Sequence, residues 1–546
     1  MDIVSTVLLL LACVVASTIC ARLLPSRFPL PLLQIALGAA LSWCGVKVAF
    51  DSQLFLLLFI PPLLFLDGWR MPKGAFFRDW KVILSLAIGL VVFTVVGVGF
   101  FVHWLIPAMP LAVAFALAAI LSPTDPVALG AMTASAPLPA RLLHILEGEA
   151  LFNDATGLVG FSFAVAAALS GHFSIIEASW SFLLVAGGGL VTGLLVTWLI
   201  ARINQLLIRH AGEEPAIQML VSLLIPFASY MVAEHLQVSG ILAAATAGFA
   251  MHYVELSVRP QADTRMLRSA VWDTVQISLN GIIFILLGLQ LPVLLAHLPE
   301  ISRAGGARTA WHLLGYIVSI TLVLALLRAL WVWISMRLTL LSASAAGHRQ
   351  PEPHARLLAV ISISGVRGAI TLAGILTLPS LMHDGSAFPT RELAIILAMG
   401  VILFSLITAG IVLPVLARGL VDLPQLPLGA SEGRARHAAA QAAIDRVEAL
   451  AAGPLSGDEA PGLRNQAAHN VLENYRRHLI DGDAEGEHHE AAPAKRQLQM
   501  ERDLRVEGLR AARDKLFALR RTHDIDDDVH RKLVREIDLL EAGLSK

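Results

Sequence analysis

Thirteen separate apolar runs set the terms on which this chain can fold. They fall at about 3–21, 28–46, 53–67, 82–104, 111–132, 143–170, 177–201, 215–234, 238–255, 270–297, 311–336, 356–380 and 392–417. Crossing the hydrocarbon of a bilayer takes roughly 20 apolar residues as a helix, or about ten as a tilted strand. With no water there to satisfy the backbone, only helices and closed barrels can span. Runs of this length are helical, so the expected fold class is an all-α polytopic membrane protein with about thirteen transmembrane helices. Composition agrees. The chain is 56% hydrophobic and 15% charged, far too apolar for a water-soluble protein of its length. Its N-terminus lacks the basic region and small-residue cleavage site of a secretory signal, so the first run reads as a retained helix.

Charge placement gives the topology and the domains. An odd number of crossings puts the termini on opposite sides. One set of connections carries fifteen basic residues, among them Arg22, Arg70, Lys73, Arg78, Arg141, Arg209, Arg268 and Arg337; the alternate set carries only Lys47, Arg303, Arg308 and Arg391. By the positive-inside rule the N-terminus lies outside and the C-terminal region in the cytoplasm. That region, 431–546, holds 22 acidic and 19 basic residues, 41 of the 83 in the chain. The organisation is therefore a membrane domain over 1–420, a proline-rich linker over 421–430 and a helical cytoplasmic tail. Helical patterns run at about 432–452, 462–480, 493–522 and 526–542, with Asp526 placed to cap the last. His488 and His489 lie in an intervening polar loop; they suit pH sensing or metal binding, and equally a solvated loop. A small bundle and a dimerising coil both fit the tail. Net charge is −1, so no nucleic-acid partner is implied. Cys13, Cys20 and Cys44 lie in apolar runs with no metal or disulfide spacing.

Polar residues inside the runs are where function is sought. Leu121-Ser122-Pro123-Thr124-Asp125-Pro126-Val127 interrupts the fifth run. A mid-membrane carboxylate costs about 2.5–3.5 kcal/mol even on the lenient insertion scale. Each proline removes a backbone donor, leaving the Ala119 and Ser122 carbonyls without helical partners. The run reads as a helix broken at mid-membrane, which is tolerated only beside protein or a watery cavity and which builds ion sites in secondary transporters. A proline-kinked structural helix whose Asp pairs with a neighbour is the plainer alternative. The sixth run carries Glu147, Glu149, Asn153 and Asp154. Glu149 and Asn153 share a helix face, whereas Asp154 lies about 140° round from Glu149. Arg328 and Arg367 are buried in the eleventh and twelfth runs and need partners; Glu149 and Asp125 are the available acids. Gly365, Gly368 and Thr371 mark the twelfth run as a second broken helix, as an inverted-repeat transporter with two crossing discontinuous helices requires.

These residues also carry a family resemblance. Pro123-Thr124-Asp125-Pro126-Val127, Glu147-Gly148-Glu149-Ala150-Leu151-Phe152-Asn153-Asp154 and Gly365-Val366-Arg367-Gly368-Ala369 resemble the signature of the sodium/proton exchangers of the monovalent cation:proton antiporter-1 family. Phe59-Ile60-Pro61-Pro62-Leu63-Leu64-Phe65, Trp272-Asp273 and Asn280 resemble its third and tenth helices. The resemblance implies that Asp154 carries cation or proton in turn. It also implies that Thr124, Asp125 and Asn153 complete the cation/proton-binding group, with Asp154, Asp125 and Thr124 touching the transported Na+ or K+. Glu149 is implied to be held in a structural ion pair with Arg328, with Arg367 nearby. Asn153 stands where electrogenic relatives have a second Asp, which implies electroneutral exchange. The cytoplasmic extension and a homodimer in the bacterial inner membrane follow from the same resemblance. Ala150 departs from it: most relatives have Ser there, whose hydroxyl can ligate the ion.

The expected function is secondary antiport of Na+ (or Li+ or K+) against H+ across a lipid bilayer, serving pH homeostasis and sodium transport, with no cofactor. A K+/H+ antiporter on the same scaffold is the nearest alternative; an ion-binding sensor that signals through the tail is the alternative from another class. A channel would need a carbonyl- or charge-lined filter, and no such pattern is found. No phosphate-binding glycine loop, zinc spacing or nucleophile elbow suggests an enzyme. Asp67, at the end of the third run, reads as interfacial. The small residues Gly187, Gly188, Gly189 and Gly193 suit a dimer surface, or packing within the bundle.

Overall fold

The structure is a computed structural model. It describes residues 3–23, 29–46, 52–133, 138–171, 175–258, 261–296, 310–345, 355–382, 385–418, 441–449, 451–452 and 468–473, with pairs of residues between 508 and 540. By contact the chain divides into Met1–Leu423 and Pro424–Lys546. In the second unit the described stretches are helical, and one turn carries a Gln441–Asp445 hydrogen bond of 2.8 Å. The expected linker, the loop with His488 and His489, and Asp526 lie outside the described residues.

The first unit is all helix apart from one isolated bridge, Leu381 to Ala387, among the described residues. Its elements are α1 (Ile3–Leu23), α2 (Leu30–Trp43), α3 (Ser52–Arg70), α4 (Lys73–Leu84), a π-helical turn (Ser85–Leu90) and α5 (Val91–Leu105). Next come α6 (Leu111–Leu121), α7 (Pro126–Thr133), α8 (Ala140–Ser170), α9 (Ile175–Ala211), α10 (Pro215–His235) and α11 (Gly240–Val258). The last are α12 (Ala262–Ala296), α13 (Ala310–Ala345), α14 (Ala355–Ile363), α15 (Ala369–Leu376) and α16 (Arg391–Ala417). Each expected apolar run coincides with a helix or with two helices in series. Among the described residues, 8 helices qualify as spans by length and apolarity, or 9 when α6 and α7, bent by 49°, count as one.

The helices sort into two groups. In the first, α2 packs on α12, α3 on α11, α11 on α9 and α10, and α1 on α2 and α12. In the second, α6 packs on α5 and α8, α4 on α8, and α13 on α5, α14 and α16. The groups meet where α15 touches α3 and α12, and α8 touches α3 and α11.

Close backbone approach holds the first group together. A Cβ at Gly248 would overlap the Phe65 carbonyl, and one at Gly68 the Ala245 carbonyl, so α3 and α11 meet backbone to backbone. The same reciprocity joins α2 and α12 through Gly38 and Gly288. In lipid such contacts matter, because hydrophobic burial gives helices no net reason to associate. Gly189 and Gly193 likewise abut the Ser239 and Ala243 carbonyls of α11, so of their two readings it is packing within the bundle that the structure displays. Trp272 is fully buried between these helices, stacked on Phe65 at 5.2 Å, with its ring N–H donated to Ser222 Oγ at 2.9 Å.

Replacing Gly248 with Val is expected to lower the stability of the solubilised protein by about 1–3 kcal/mol, the usual cost of overpacking. A thermal melt followed by size-exclusion fluorescence reads this; a melt unchanged from the parent would mean that α3 and α11 do not pack through these glycines.

Candidate functional site

The two broken helices cross at their breaks. α6 stops at Leu121 because Pro123 cannot donate. Ser122 N–H closes the end with a tight bond to the Ala119 carbonyl at 3.3 Å, so the first of the two orphaned carbonyls finds a partner. α7 restarts at Pro126, the first position where proline is tolerated. α14 stops at Ile363 and α15 restarts at Ala369. The two irregular stretches bond to each other: Asp125 N–H donates to the Val366 carbonyl at 2.8 Å.

Four helix ends meeting in a membrane need electrostatic compensation, since N-termini are partly positive and C-termini partly negative. Asp125 supplies it for the N-termini. Its Oδ1 accepts from the amides of Val127 at 2.9 Å and Ala128 at 3.0 Å, capping α7. It also lies so near the start of α15 that a Cβ at Gly368 would overlap its carboxylate. Arg367 supplies it for the C-termini. Buried at 5% exposure, it donates through Nε to the Leu121 carbonyl at the end of α6, at 3.0 Å, and through Nη1 to the Gly365 carbonyl beyond α14. This corrects the expectation that Arg367 would seek Glu149 or Asp125: the carbonyls freed by the breaks are its partners.

Glu149 and Arg328, 1% and 3% exposed, form a two-pronged pair. Arg328 Nη1 meets Glu149 Oε1, and Nη2 donates to Oε2 at 2.7 Å. The remaining prong, Nε, donates to the Ile361 carbonyl of α14 at 2.8 Å. One guanidinium thus ties α13 to α8 and to the helix that leads into the second break.

Asp154, 5% exposed, faces the crossing from α8. With Thr124, Asp125, Asp67, Asn280, Gly368 and Thr371 it lines a cavity of about 30 Å³, room for an ion or a water but no organic solute. Asn153 is not among the lining residues. Its Nδ2 donates to Thr124 Oγ1 at 3.0 Å, so it holds a threonine that lines the cavity. Asp67 is the residue that sequence reasoning placed wrongly. It lines the cavity together with Leu63 and Leu64, one turn earlier on the same face of α3. That spacing, an acid four residues after an apolar contact inside a helix running on to Arg70, was the available signal.

A vestibule of about 510 Å³ leads outward from the site, lined among others by Gln34, Asp67, Arg70, His144, Glu147, Gln276 and Asn280. It shares Asp67, Pro126, Val127 and Asn280 with the cavity. It opens at the end of the bundle where α3 finishes and α8 begins. There Arg70 is paired with Asp273 and donates to Gln276 at 2.6 Å. Among the described residues no group of three or more His, Cys, Asp or Glu has the arrangement of a metal centre.

A buried carboxylate at the crossing of two discontinuous helices, between two helix groups, defines a multi-pass membrane protein of the secondary-transporter class. The sodium/hydrogen exchanger transmembrane family matches residues 8–419; the chain belongs to that family. It is 39% identical to an uncharacterised Na+/H+ exchanger of Escherichia coli K12 (YjcE), across 100% of this chain and 99% of the relative. It is 42% identical to a sodium, potassium, lithium and rubidium/H+ antiporter of Bacillus subtilis, over 76% of this chain and 62% of the relative. In fold it is similar to the sodium proton antiporter MjNhaP1 of Methanocaldococcus jannaschii, with a TM-score of 0.54 and 18% identity, over 78% of this chain and 100% of that structure.

Replacing Glu149 with Ala should leave Arg328 buried without its acid, at a cost of about 3–5 kcal/mol, and the yield of monodisperse protein should collapse. Replacing Glu149 and Arg328 together with Leu should recover much of it, since a buried pair adds little net stability over an apolar one. A stable but inactive Glu149→Ala protein would assign Glu149 to the transport chemistry.

Proposed function

We propose that this chain is a monovalent cation/proton antiporter of the bacterial inner membrane, exchanging Na+ for H+ one for one by alternating access. The observation that carries the reading is the placement of Asp154: buried, at the crossing, in a cavity sized for one ion and continuous with a vestibule. A carboxylate in such a place holds a proton or a cation and not both, because each neutralises the charge that attracts the other. Exchange is then obligate. Thr124 and Asp125 complete the cation's surroundings from the break. Asn153 is neutral where a second exchanging acid would stand, and Asp125 serves the end of α7. Asp154 therefore trades a single charge, and the exchange is electroneutral.

The thirteen runs cross thirteen times, with the N-terminus outside and the C-terminal tail, a regulatory helical domain, in the cytoplasm. On that orientation the vestibule opens to the cytoplasm, and Asp67 and Glu147 line the path by which a cytoplasmic cation reaches Asp154. The other face is reached when the α4–α8 and α13–α16 group rocks against the first group. The protein works as a homodimer. A wider cation range, including K+, is the second reading. Ala150 offers no hydroxyl beside the ion, and the name of the Bacillus subtilis relative includes potassium.

Proteoliposomes with an imposed pH gradient test the reading. Na+ and Li+ should dissipate the gradient, choline should not, and clamping the membrane potential with K+ and valinomycin should leave the Na+ rate unchanged. Replacing Asp154 with Asn should abolish the response while the protein still inserts and purifies. Near-normal flux in that variant would remove Asp154 from its role. Silence of the parent protein towards every cation would favour a sensor that signals through its tail.

A further inference from the structure

The oxygen donors around the cavity are unevenly spread. α8 approaches with Asp154; Ala150, one turn earlier on the same helix face, is 2% exposed, is not among the lining residues and has no side-chain oxygen. The α6–α7 break brings Thr124 and Asp125, but both already hold the crossing together: Thr124 Oγ1 accepts from Asn153, and Asp125 Oδ1 accepts from two amides of α7. A hard cation stripped of water wants several oxygens. The first helix group adds the Asp67 carboxylate and the Asn280 amide, and another hydroxyl reaches the cavity from the start of α15. Thr371 lies in the first turn of α15, is 2% exposed, and lines the same cavity as Asp154.

Two features suit Thr371 to hold a cation. Its β-branched side chain has few χ1 options, so the oxygen is fixed in place. The start of α15 would by itself repel a cation through its helix dipole, but the Asp125 carboxylate is seated against Gly368 at that very end, so the local field is already offset.

We propose that Thr371 is a ligand of the transported cation, its hydroxyl oxygen supplying from the second broken helix what Ala150 does not supply from α8. The proposal rests on the antiporter reading and deepens it. With Thr371 as ligand, a bound cation bridges α8, the α6–α7 break and α15, so occupancy is felt by both discontinuous helices. The geometry of this donor set, and not Asp154 alone, then ranks Li+, Na+ and K+.

The test is a set of three proteins in proteoliposomes: Thr371→Val, which keeps the shape and loses the oxygen; Thr371→Ser, which keeps the oxygen; and Thr371→Val with Ala150→Ser, which returns a hydroxyl on α8. Thr371→Val should raise the apparent KM for Na+ about tenfold, the usual scale for losing one polar contact to a charge. It should also change the ratios among Li+, Na+ and K+, with a smaller effect on maximal rate. Thr371→Ser and the double variant should return towards the parent. A Thr371→Val protein with unchanged KM and unchanged cation ratios overturns the proposal, as does one that loses only maximal rate. If the parent shows no cation-driven proton flux, the antiporter reading falls. Stabilisation of the purified protein by Na+ in a thermal melt then decides the ligand separately: stabilisation lost in Thr371→Val and kept in Thr371→Ser supports it, and equal stabilisation of all three overturns it.

Discussion

The Glu149–Arg328 pair is the contact on which the geometry of the site depends. Each charge is buried where an unpaired ion would cost several kcal/mol, so the two are held together by the penalty of separation. The fork of Arg328 fits both oxygens of Glu149 and leaves Nε for the Ile361 carbonyl, so the pair fixes orientation as well as distance. Because α8 is rigid between residues 149 and 154, fixing Glu149 fixes the direction of Asp154, about 140° round the helix. The carboxylate proposed to exchange ions is thereby aimed by a residue that lies outside the cavity lining. The same guanidinium anchors α14 just before its break, so the wall opposite Asp154 is set by the same contact.

A second constraint is the balance of helix ends. Two breaks create four termini in a medium that cannot screen them. Placing Asp125 at the N-termini and Arg367 at the C-termini lets each charge stabilise a pair of ends that would otherwise repel or go unsatisfied. The helix ends at the crossing are thereby offset, while two carboxylates of the cavity, Asp154 and Asp67, lie outside that balance.

What the sequence made legible follows from which constraints are one-dimensional. The bilayer demands long apolar helices, and each run became a helix or a broken pair. Proline removes a donor at a known position, so the break at Pro123 and Pro126 could be read residue by residue; glycine made the break near Gly365 and Gly368 visible for a similar reason. Partners across the fold were harder. Arg367 is the clearest case: a search among charged side chains points to carboxylates, whereas the acceptors it bonds are carbonyls released by the breaks themselves. The resemblance places Asn153 in the binding group with Asp154; adjacent residues on a helix face about 100° apart, and the Asn153 amide meets Thr124 Oγ1. Asp67 looked interfacial because the third run fades there in hydropathy. α3 in fact continues to Arg70, and the glycine beside Asp67 lets α11 approach, which leaves the acid turned to the cavity.

The division into two helix groups gives these contacts a mechanical meaning. Glu149, Arg328, Asp125, Arg367 and Asp154 all belong to the second group, so the ion site's internal bonds need not change when that group moves. Asp67, Asn280 and Gln276 belong to the first group and face the site across the boundary. The first group is itself stiffened by backbone-to-backbone contacts at Gly68, Gly248, Gly38 and Gly288, which favour rigid-body motion over bending. The chain passes between the groups at Pro72-Lys73. There Lys73 is buried with its ammonium on the Gly68, Met71 and Trp69 carbonyls at 2.6, 2.9 and 3.1 Å and over the Phe249 ring at 4.6 Å. The first residue of α4 is thus fixed to the end of α3. Movement of one group against the other, as proposed above, would change which residues of the first group, Asp67 and Asn280 among them, face Asp154.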